Sequence, residues 1–242
     1  YRSICVDWGA KFCYTEMVSS EALVRDSKKT LSLMRKADNE ASYAIQLFGS
    51  NPDTMARAAE IAAKLTPAVI DVNGGCPVPK IVKSGAGSAL MKTPDLFGRI
   101  VKAMSAATDV PITVKMRTGW DDASRNFLDV ARICVDSGAK AVTLHARTRA
   151  MGYSGTADWD AIKILATTVH VPVFRSGDVF KPEDVTAMLE STGCAGVMVA
   201  RGMMGNPFIF RNAERLAAGL ELEAITHETI ARTAETHLTR FA

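Results

Sequence analysis

The chain of 242 residues is 48% hydrophobic and 23% charged, which is ordinary for a globular protein and long enough to bury a substantial core. Its apolar runs are far shorter than the roughly 20 residues of a membrane helix, and its first residues lack the architecture of a signal peptide, which disfavours membrane and exported proteins. A net charge of +3 does not by itself predict nucleic-acid binding, and five cysteines without a CxxC pair favour a reducing, cytoplasmic location without a disulfide framework or a metal site.

Seven short runs rich in Val and Ile alternate with longer segments of helical period, which predicts βαβ units and a parallel sheet. The predicted strands are residues 12–17, 43–48, 69–73, 112–116, 141–145, 171–174 and 196–200. Their spacing is that of a (β/α)8 TIM barrel, which has eight strands. Because residues 1–8 resemble the end of a helix, we expect the first barrel strand to lie upstream of this sequence. An open doubly wound sheet is the alternative.

The longest interval between predicted strands contains a glycine-rich loop, residues 74–92, before a helix that begins at Pro94. Loops of this length in compact domains are usually functional. Beyond the last strand, a charged segment precedes a helical run over residues 226–241. We therefore expect residues 1–212 to form the barrel domain, incomplete at its N-terminus. We expect residues 213–242 to be a linker and the first helix of a truncated helical domain.

Polar residues lie at the C-terminal end of every predicted strand. They are Glu16, Gln46, Asn73 with Cys76, Lys115 with Arg117, His145 with Arg147, Ser176 to Asp178, and Arg201 with Gly202. In a closed barrel these ends meet at one mouth. A single charged residue at such a position is more often solvated or ion-paired, but the recurrence at all seven strands predicts a functional site.

The last two of these positions resemble a phosphate cradle. Ser176-Gly177-Asp178 and Ala200-Arg201-Gly202 follow the last two predicted strands, where barrels often hold phosphate through backbone N–H groups. Glycine lets the backbone approach the phosphate oxygens, and Arg201 offers a charge-assisted contact. Two ordinary glycine turns are the alternative interpretation.

Cys76 differs from the other cysteines because it lies at the start of the long loop, in Asn73-Gly-Gly-Cys76-Pro. A thiol is mostly protonated at neutral pH, so Cys76 is a candidate proton donor, or a nucleophile if it is activated. The residues alone leave both roles open.

Several segments together carry a family resemblance. They are residues 71–80 (DVNGGCPVPK), 85–91 (GAGSALM), 113–117 (TVKMR), 144–149 (LHARTR) and 199–202 (VARG). The chain resembles the FMN-dependent tRNA-dihydrouridine synthases, in particular the bacterial B type, and the Asn-x-Gly-Cys-Pro motif is its most specific part. The family's fold is a flavin-binding (β/α)8 barrel followed by a helical tRNA-binding domain.

The resemblance implies a role for each residue of the predicted site. Cys76 would protonate C5 of uracil while reduced FMN gives a hydride to C6, and NAD(P)H would re-reduce the flavin. Gln46, Lys115 and His145 would contact the isoalloxazine ring, and Asn73 the ring or the substrate. The remaining FMN contacts would be Ser176, Gly177, Asp178, Ala200, Arg201 and Gly202. Ser176 stands where the family usually has Asn.

The implied partner is tRNA, with the target uridine flipped into the site. The residues expected to hold flanking RNA phosphates are Lys80, Lys83, Arg147 and Arg149, with solvated loop charges as the alternative. We expect a cytoplasmic monomer. Two other functions are kept open: an FMN oxidoreductase like dihydroorotate dehydrogenase, and a non-catalytic regulatory barrel that binds nucleotide or RNA, in which Cys76 would be dispensable.

Overall fold

The computed structural model describes residues 1–241, which form an α/β fold around one parallel sheet. Its strands are β1 (Cys13–Ser19), β2 (Tyr43–Phe48), β3 (Val69–Gly74), β4 (Ile112–Arg117), β5 (Val142–His145), β6 (Val173–Ser176) and β7 (Gly196–Met198). Each strand pairs with the next one in the chain, so β1 and β7 form the edges of the described sheet. A doubly wound sheet reverses its strand order, whereas sequential parallel order is that of a TIM barrel. The predicted TIM-barrel-like fold class is confirmed.

Helices connect the strands and cover the outside of the sheet. The α-helices of the described residues are α1 (Arg2–Asp7), α2 (Ser20–Leu23), α3 (Lys28–Leu33), α4 (Pro52–Ala63), α5 (Pro79–Lys83), α6 (Pro94–Ala107), α7 (Phe127–Asp136), α8 (Trp159–Thr168), α9 (Pro182–Thr192), α10 (Ile209–Ala217) and α11 (His227–Phe241). Short 3₁₀ helices occur at Gly87–Lys92, Asp122–Ser124 and Arg201–Met203. All seven strand predictions agree with the structure to within two residues at each end.

The two faces of the inner strands have different neighbours, because side chains alternate along a strand. In β4, Val114 and Met116 are fully buried in the apolar core that also contains Phe97 of α6. Thr113, between them in the sequence, hydrogen-bonds to Asp71 of β3 instead. The outer face of the sheet therefore holds the helices, while the inner face holds polar side chains beneath the predicted site.

The chain after β7 packs against the N-terminal segment. The rings of Trp8 and Phe208 meet edge to face with centroids 4.6 Å apart. Arg240 of α11 forms an ion pair with Asp7 at 2.7 Å. The predicted domain boundary after residue 212 falls within α10, and the division into two domains stays a prediction. Among residues 1–241, no helix combines the length and hydrophobicity needed to cross a membrane.

Candidate active site

A cavity lies where the C-terminal ends of β4 to β7 meet. Of the nine residues predicted to bind the cofactor, all but Gln46 line it: Lys115, His145, Ser176, Gly177, Asp178, Ala200, Arg201 and Gly202. The parallel order of the strands explains this convergence, since their carboxyl ends share one edge of the sheet. Tyr153, Val179, Phe180 and Met198 complete the lining.

Cys76 is half-buried at the start of the β3–α5 loop, and its backbone is fixed from two sides. The Oδ1 atom of Asn73 accepts the backbone N–H groups of Gly75 at 3.1 Å and Cys76 at 2.9 Å. The Cys76 carbonyl accepts both the backbone N–H and the hydroxyl of Ser88 at 3.0 Å. Both backbone polar groups of Cys76 are therefore hydrogen-bonded, which fixes the point from which its side chain starts.

The glycine-rich segment that follows is explained by its close approach to Cys76. Gly87 has a φ of +60°, and a Cβ atom there would lie 2.7 Å from the Cys76 carbonyl oxygen. Only glycine adopts this conformation without strain and leaves that space free. The loop predicted from its length to be functional is thus closed around the candidate proton donor.

A chain of buried hydrogen bonds connects the Cys76 loop to the interior of the barrel. Asn73 Nδ2 donates to Gln46 Oε1 at 2.8 Å, and Gln46 Nε2 donates to Asp71 Oδ2 at 2.7 Å. The hydroxyl of Thr113 donates to the other oxygen of Asp71 at 2.6 Å. Gln46 therefore reaches the site through Asn73 rather than by lining the cavity. Asp71 has no role in the sequence prediction, although it lies two residues before Asn73.

Lys115 and His145 give the cavity its electrostatic character. Burial lowers the pKa of Lys115 to about 8, and the charge of Asp71 opposes this effect. Burial and then the neighbouring cation Lys115 lower the pKa of His145 to about 2. Near pH 7, Lys115 is thus mainly a cation and His145 a neutral imidazole.

The two glycine turns form one wall of the cavity. Gly177 has a φ of +124° and Asp178 a φ of +54°, so the chain leaves β6 in a left-handed turn. A Cβ atom on Gly202 would lie 2.0 Å from the Val179 carbonyl oxygen, so the second turn packs directly on the first. Within residues 1–241, the backbone N–H groups of Gly177 and Gly202 donate to no protein acceptor. Such N–H groups can bind an anion.

Arg147 lies beside the cavity, but it is buried and ion-paired. It is 2% exposed, and one guanidinium nitrogen donates to both carboxylate oxygens of Asp178 at 2.7 Å. Burial would raise the pKa of Asp178, but the Ala157 N–H and the Arg147 charge hold it below its usual range. The side chains of Arg147 and Asp178 therefore support the glycine turn. The prediction that Arg147 holds an RNA phosphate has no support in this geometry.

Of the other predicted RNA contacts, Lys80 and Lys83 lie at the surface, whereas Arg149 is half-buried. Lys80 and Lys83 belong to α5, directly after the Cys76 segment, and are exposed. The guanidinium carbon of Arg149 lies 4.5 Å from the ring centroid of Trp120, and the ammonium of Lys92 lies 4.8 Å from the same ring. No carboxylate of the described residues lies within ion-pair distance of these four cations.

Tyr153 is a cavity residue that sequence reasoning missed. It is 56% exposed, and the guanidinium carbon of Arg201 lies 4.4 Å from its ring centroid. Its ring is also tilted against that of His145, with the centroids 6.1 Å apart. The only local signal is an aromatic residue between Gly152 and Gly155, which does not reveal these long-range contacts.

The fold and the site together define a TIM-barrel-like α/β protein in which Cys76 and a cavity lined by two glycine turns lie at the carboxyl ends of the strands. The chain belongs to the dihydrouridine synthase family, whose members are flavin-dependent oxidoreductases, because the family model matches residues 1–242.

Individual relatives have the same family name. The chain is 50% identical to a probable tRNA-dihydrouridine synthase of Treponema pallidum, with 98% of this chain and 74% of the relative aligned. It is 38% identical to tRNA-dihydrouridine synthase B of Shewanella oneidensis, over 93% of this chain and 70% of the relative. It is also 38% identical to the B enzyme of Pseudomonas syringae, over 98% of this chain and 71% of the relative.

Proposed function

We propose that this protein reduces the C5=C6 bond of uridine in tRNA to give dihydrouridine, using FMN and NAD(P)H. The observation that carries the proposal is the position of Cys76 just after β3, close to Lys115 of β4, which lines the cavity together with the two glycine turns. The relatives named as tRNA-dihydrouridine synthases support tRNA as the substrate.

FMN is proposed because the residues of the cavity suit its two ends. The free N–H groups of Gly177 and Gly202, with Arg201 beside them, suit a phosphate. Ser176, Asp178 and Ala200 line the same cavity, and the carboxylate of Asp178 is paired with Arg147. Lys115 and the neutral His145 suit the polar edge of an isoalloxazine ring. Gln46, which hydrogen-bonds to Asn73, is proposed as a further ring contact.

The chain's own residues supply the proton and the orientation. Reduced FMN, when bound, supplies a hydride for C6 of uracil, and NAD(P)H is the proposed reductant. Cys76 would give its proton to C5, because hydrogen bonds fix its backbone at the carboxyl end of β3, beside the cavity. Lys115 would stabilise negative charge on the cofactor, and Asn73 would hold the Cys76 loop and contact the ring or the substrate.

The RNA would bind across the mouth with its target uridine flipped out of the stack. Lys80, Lys83 and Arg149 are proposed to contact flanking phosphates, since they are cations without carboxylate partners among the described residues. We further propose a cytoplasmic monomer. Residues 1–212 would form the catalytic barrel, and residues 213–242 would begin a helical tRNA-binding domain.

The experiment that tests this proposal is mass spectrometry of tRNA after incubation with the protein, FMN and NADPH. Reduction adds two hydrogens to a uridine, and digestion to nucleosides identifies dihydrouridine. The expected result is dihydrouridine that depends on both cofactors. Turnover of dihydroorotate with no change in tRNA, or FMN-independent RNA binding with no turnover, would overturn the proposal.

A further inference from the structure

We propose that Asp71 is a positioning residue: it fixes the orientation of the Gln46 and Asn73 side-chain amides, and thereby the backbone that presents Cys76. This inference rests on the proposed function of Cys76 as the proton donor. Asp71 contacts neither the cavity nor Cys76, so it acts only through its neighbours.

Each hydrogen bond of this chain is donated inward, from the Cys76 backbone to Asn73, from Asn73 to Gln46 and from Gln46 to Asp71. At the loop end, the N–H groups of Gly75 and Cys76 can only donate, so Asn73 must present its oxygen to them. Asn73 then presents Nδ2 to Gln46, and Gln46 presents Nε2 to position 71. The residue at position 71 must therefore accept, and it must also accept from Thr113.

An ionised carboxylate meets this requirement because both of its oxygens accept and neither can donate. Asp71 is 0% exposed, so water does not compete for its oxygens. An asparagine there would present one donor and one acceptor, and the interior would no longer dictate which one faces Gln46. If the amide nitrogen of that asparagine faced Gln46, the side-chain amides of Gln46 and Asn73 would both rotate by half a turn. The Nδ2 group of Asn73, a donor, would then face the N–H of Cys76, which is also a donor.

Asp71 also contributes charge to Lys115 across the β3–β4 ladder, where Asn73 pairs with Lys115. Its negative charge raises the pKa of Lys115, against the larger effect of burial. The groups that face this pair from the surrounding elements are Tyr14 of β1, Cys76 of the β3–α5 loop, Arg117 of β4 and His145 of β5. Of these, Arg117 also disfavours the charge on Lys115, so Asp71 is the main buried group that favours it.

The test compares Asp71→Asn with Thr113→Val, a matched control that removes a hydrogen bond from the same carboxylate but leaves an acceptor facing Gln46. The first readout is the alkylation rate of Cys76 by iodoacetamide at about pH 8, where Asp71 stays ionised even without the Thr113 hydrogen bond that lowers its pKa. The rate is mapped by peptide and divided by the rate of half-buried Cys13. In Asp71→Asn the looser loop should raise this ratio by about threefold or more, whereas Thr113→Val should leave it unchanged.

The second readout is the affinity for FMN as a function of pH. The wild-type protein should lose affinity as Lys115 loses its proton near pH 8. In Asp71→Asn this loss should move to lower pH by about half a unit or more, because the favourable charge is gone. A third variant, Gln46→Met, interrupts the chain of amides but keeps the charge. It should raise the Cys76 alkylation ratio and leave unchanged the pH at which affinity for FMN falls. This variant keeps the test valid if Asp71→Asn folds poorly.

The inference would be overturned if the wild type, Asp71→Asn and Gln46→Met had the same Cys76 alkylation ratio and lost affinity for FMN at the same pH. If the ratio rises as expected but wild-type protein does not reduce tRNA, the proposed function fails while the positioning role stands, because alkylation needs neither tRNA nor turnover.

Discussion

The side chain of Asn73 accepts the backbone N–H of Cys76 at 2.9 Å, which ties the candidate proton donor to the end of β3. Asn73 is 9% exposed and also accepts the N–H of Gly75, so two donors depend on one buried oxygen. The Asn-Gly-Gly-Cys sequence is thus a structural unit, because the asparagine side chain stabilises the turn and the turn fixes the backbone of the cysteine.

Asn73→Ala should therefore weaken both stability and activity. Leaving two N–H groups without their acceptor should cost about 1–3 kcal/mol of unfolding free energy, measured by urea titration. We expect dihydrouridine formation to fall by about tenfold or more because Cys76 is no longer held.

Asn51→Ala is the matched control for Asn73→Ala. Asn51 also accepts a backbone N–H, that of Thr54 at 3.0 Å, but it caps α4 outside the cavity lining. Its loss should cost about 1 kcal/mol and leave the rate of uridine reduction unchanged. Equal rates for the two variants would contradict the role assigned to Asn73.

Gly87→Ala should displace the Cys76 segment. The new Cβ atom would meet the Cys76 carbonyl oxygen at 2.7 Å, and the φ of +60° adds strain. Gly193→Ala is the control, because Gly193 has a φ of +62° but no neighbour within 4 Å of a new Cβ atom. Both variants should lose about 1 kcal/mol from the backbone strain. Gly87→Ala should lower the stability measured by thermal unfolding by more than Gly193→Ala does, and it should also lower activity. An equal loss of stability in the two variants would contradict the close contact between Gly87 and Cys76.

Asp178→Asn should destabilise the glycine turn after β6. Asparagine tolerates the φ of +54°, so the change removes charge without backbone strain. Arg147 would then be buried without its partner, which should cost about 3–5 kcal/mol and weaken FMN binding.

Glu21→Gln provides the comparison for Asp178→Asn, since the Glu21–Arg25 pair is exposed and far from the cavity lining. That change should cost about 1 kcal/mol or less. FMN titration and urea unfolding of both variants check the prediction, and an Asp178→Asn variant that behaves like Glu21→Gln would refute it.

The stability of the protein should depend on pH through Asp71. Burial raises the pKa of Asp71 to about 6, so the folded chain binds this proton more tightly than the unfolded chain. Its contribution to stability is therefore fully present below about pH 4 and is lost as the pH rises through about 6. The unfolding free energy of Asp71→Asn minus that of the wild type should rise from pH 4 to 6 and level off near pH 7. A difference that does not vary with pH would contradict this.

Much of the fold was predictable because the buried strands appear as Val- and Ile-rich runs at barrel spacing. The errors are local. The strand predicted at residues 171–174 extends to Ser176, since Arg175 is fully buried although its residue type suggests a strand end. The site residues at the strand ends were predictable for the same reason, because parallel strands bring their ends together.

The partners of the site residues were not predictable, because they depend on contacts between distant parts of the chain. Arg147 has the residue type of an RNA contact, yet Asp178, 31 residues away, binds it in the interior. Asp71 and Gln46 are 25 residues apart, and Tyr153 reaches Arg201 only through the folded loops. Sequence periodicity predicts which face of a helix or strand is buried, but not which distant side chains contact that face.

The central claim is that Cys76 gives the proton in an FMN-dependent reduction of uridine in tRNA. The most direct test is the dihydrouridine content of tRNA, by mass spectrometry, after incubation with Cys76→Ala, with Cys13→Ala as the control cysteine variant. Cys76→Ala should bind FMN normally and form product about 10²- to 10⁴-fold more slowly, while Cys13→Ala should match the wild type. Product formation by Cys76→Ala at the wild-type rate would contradict the account.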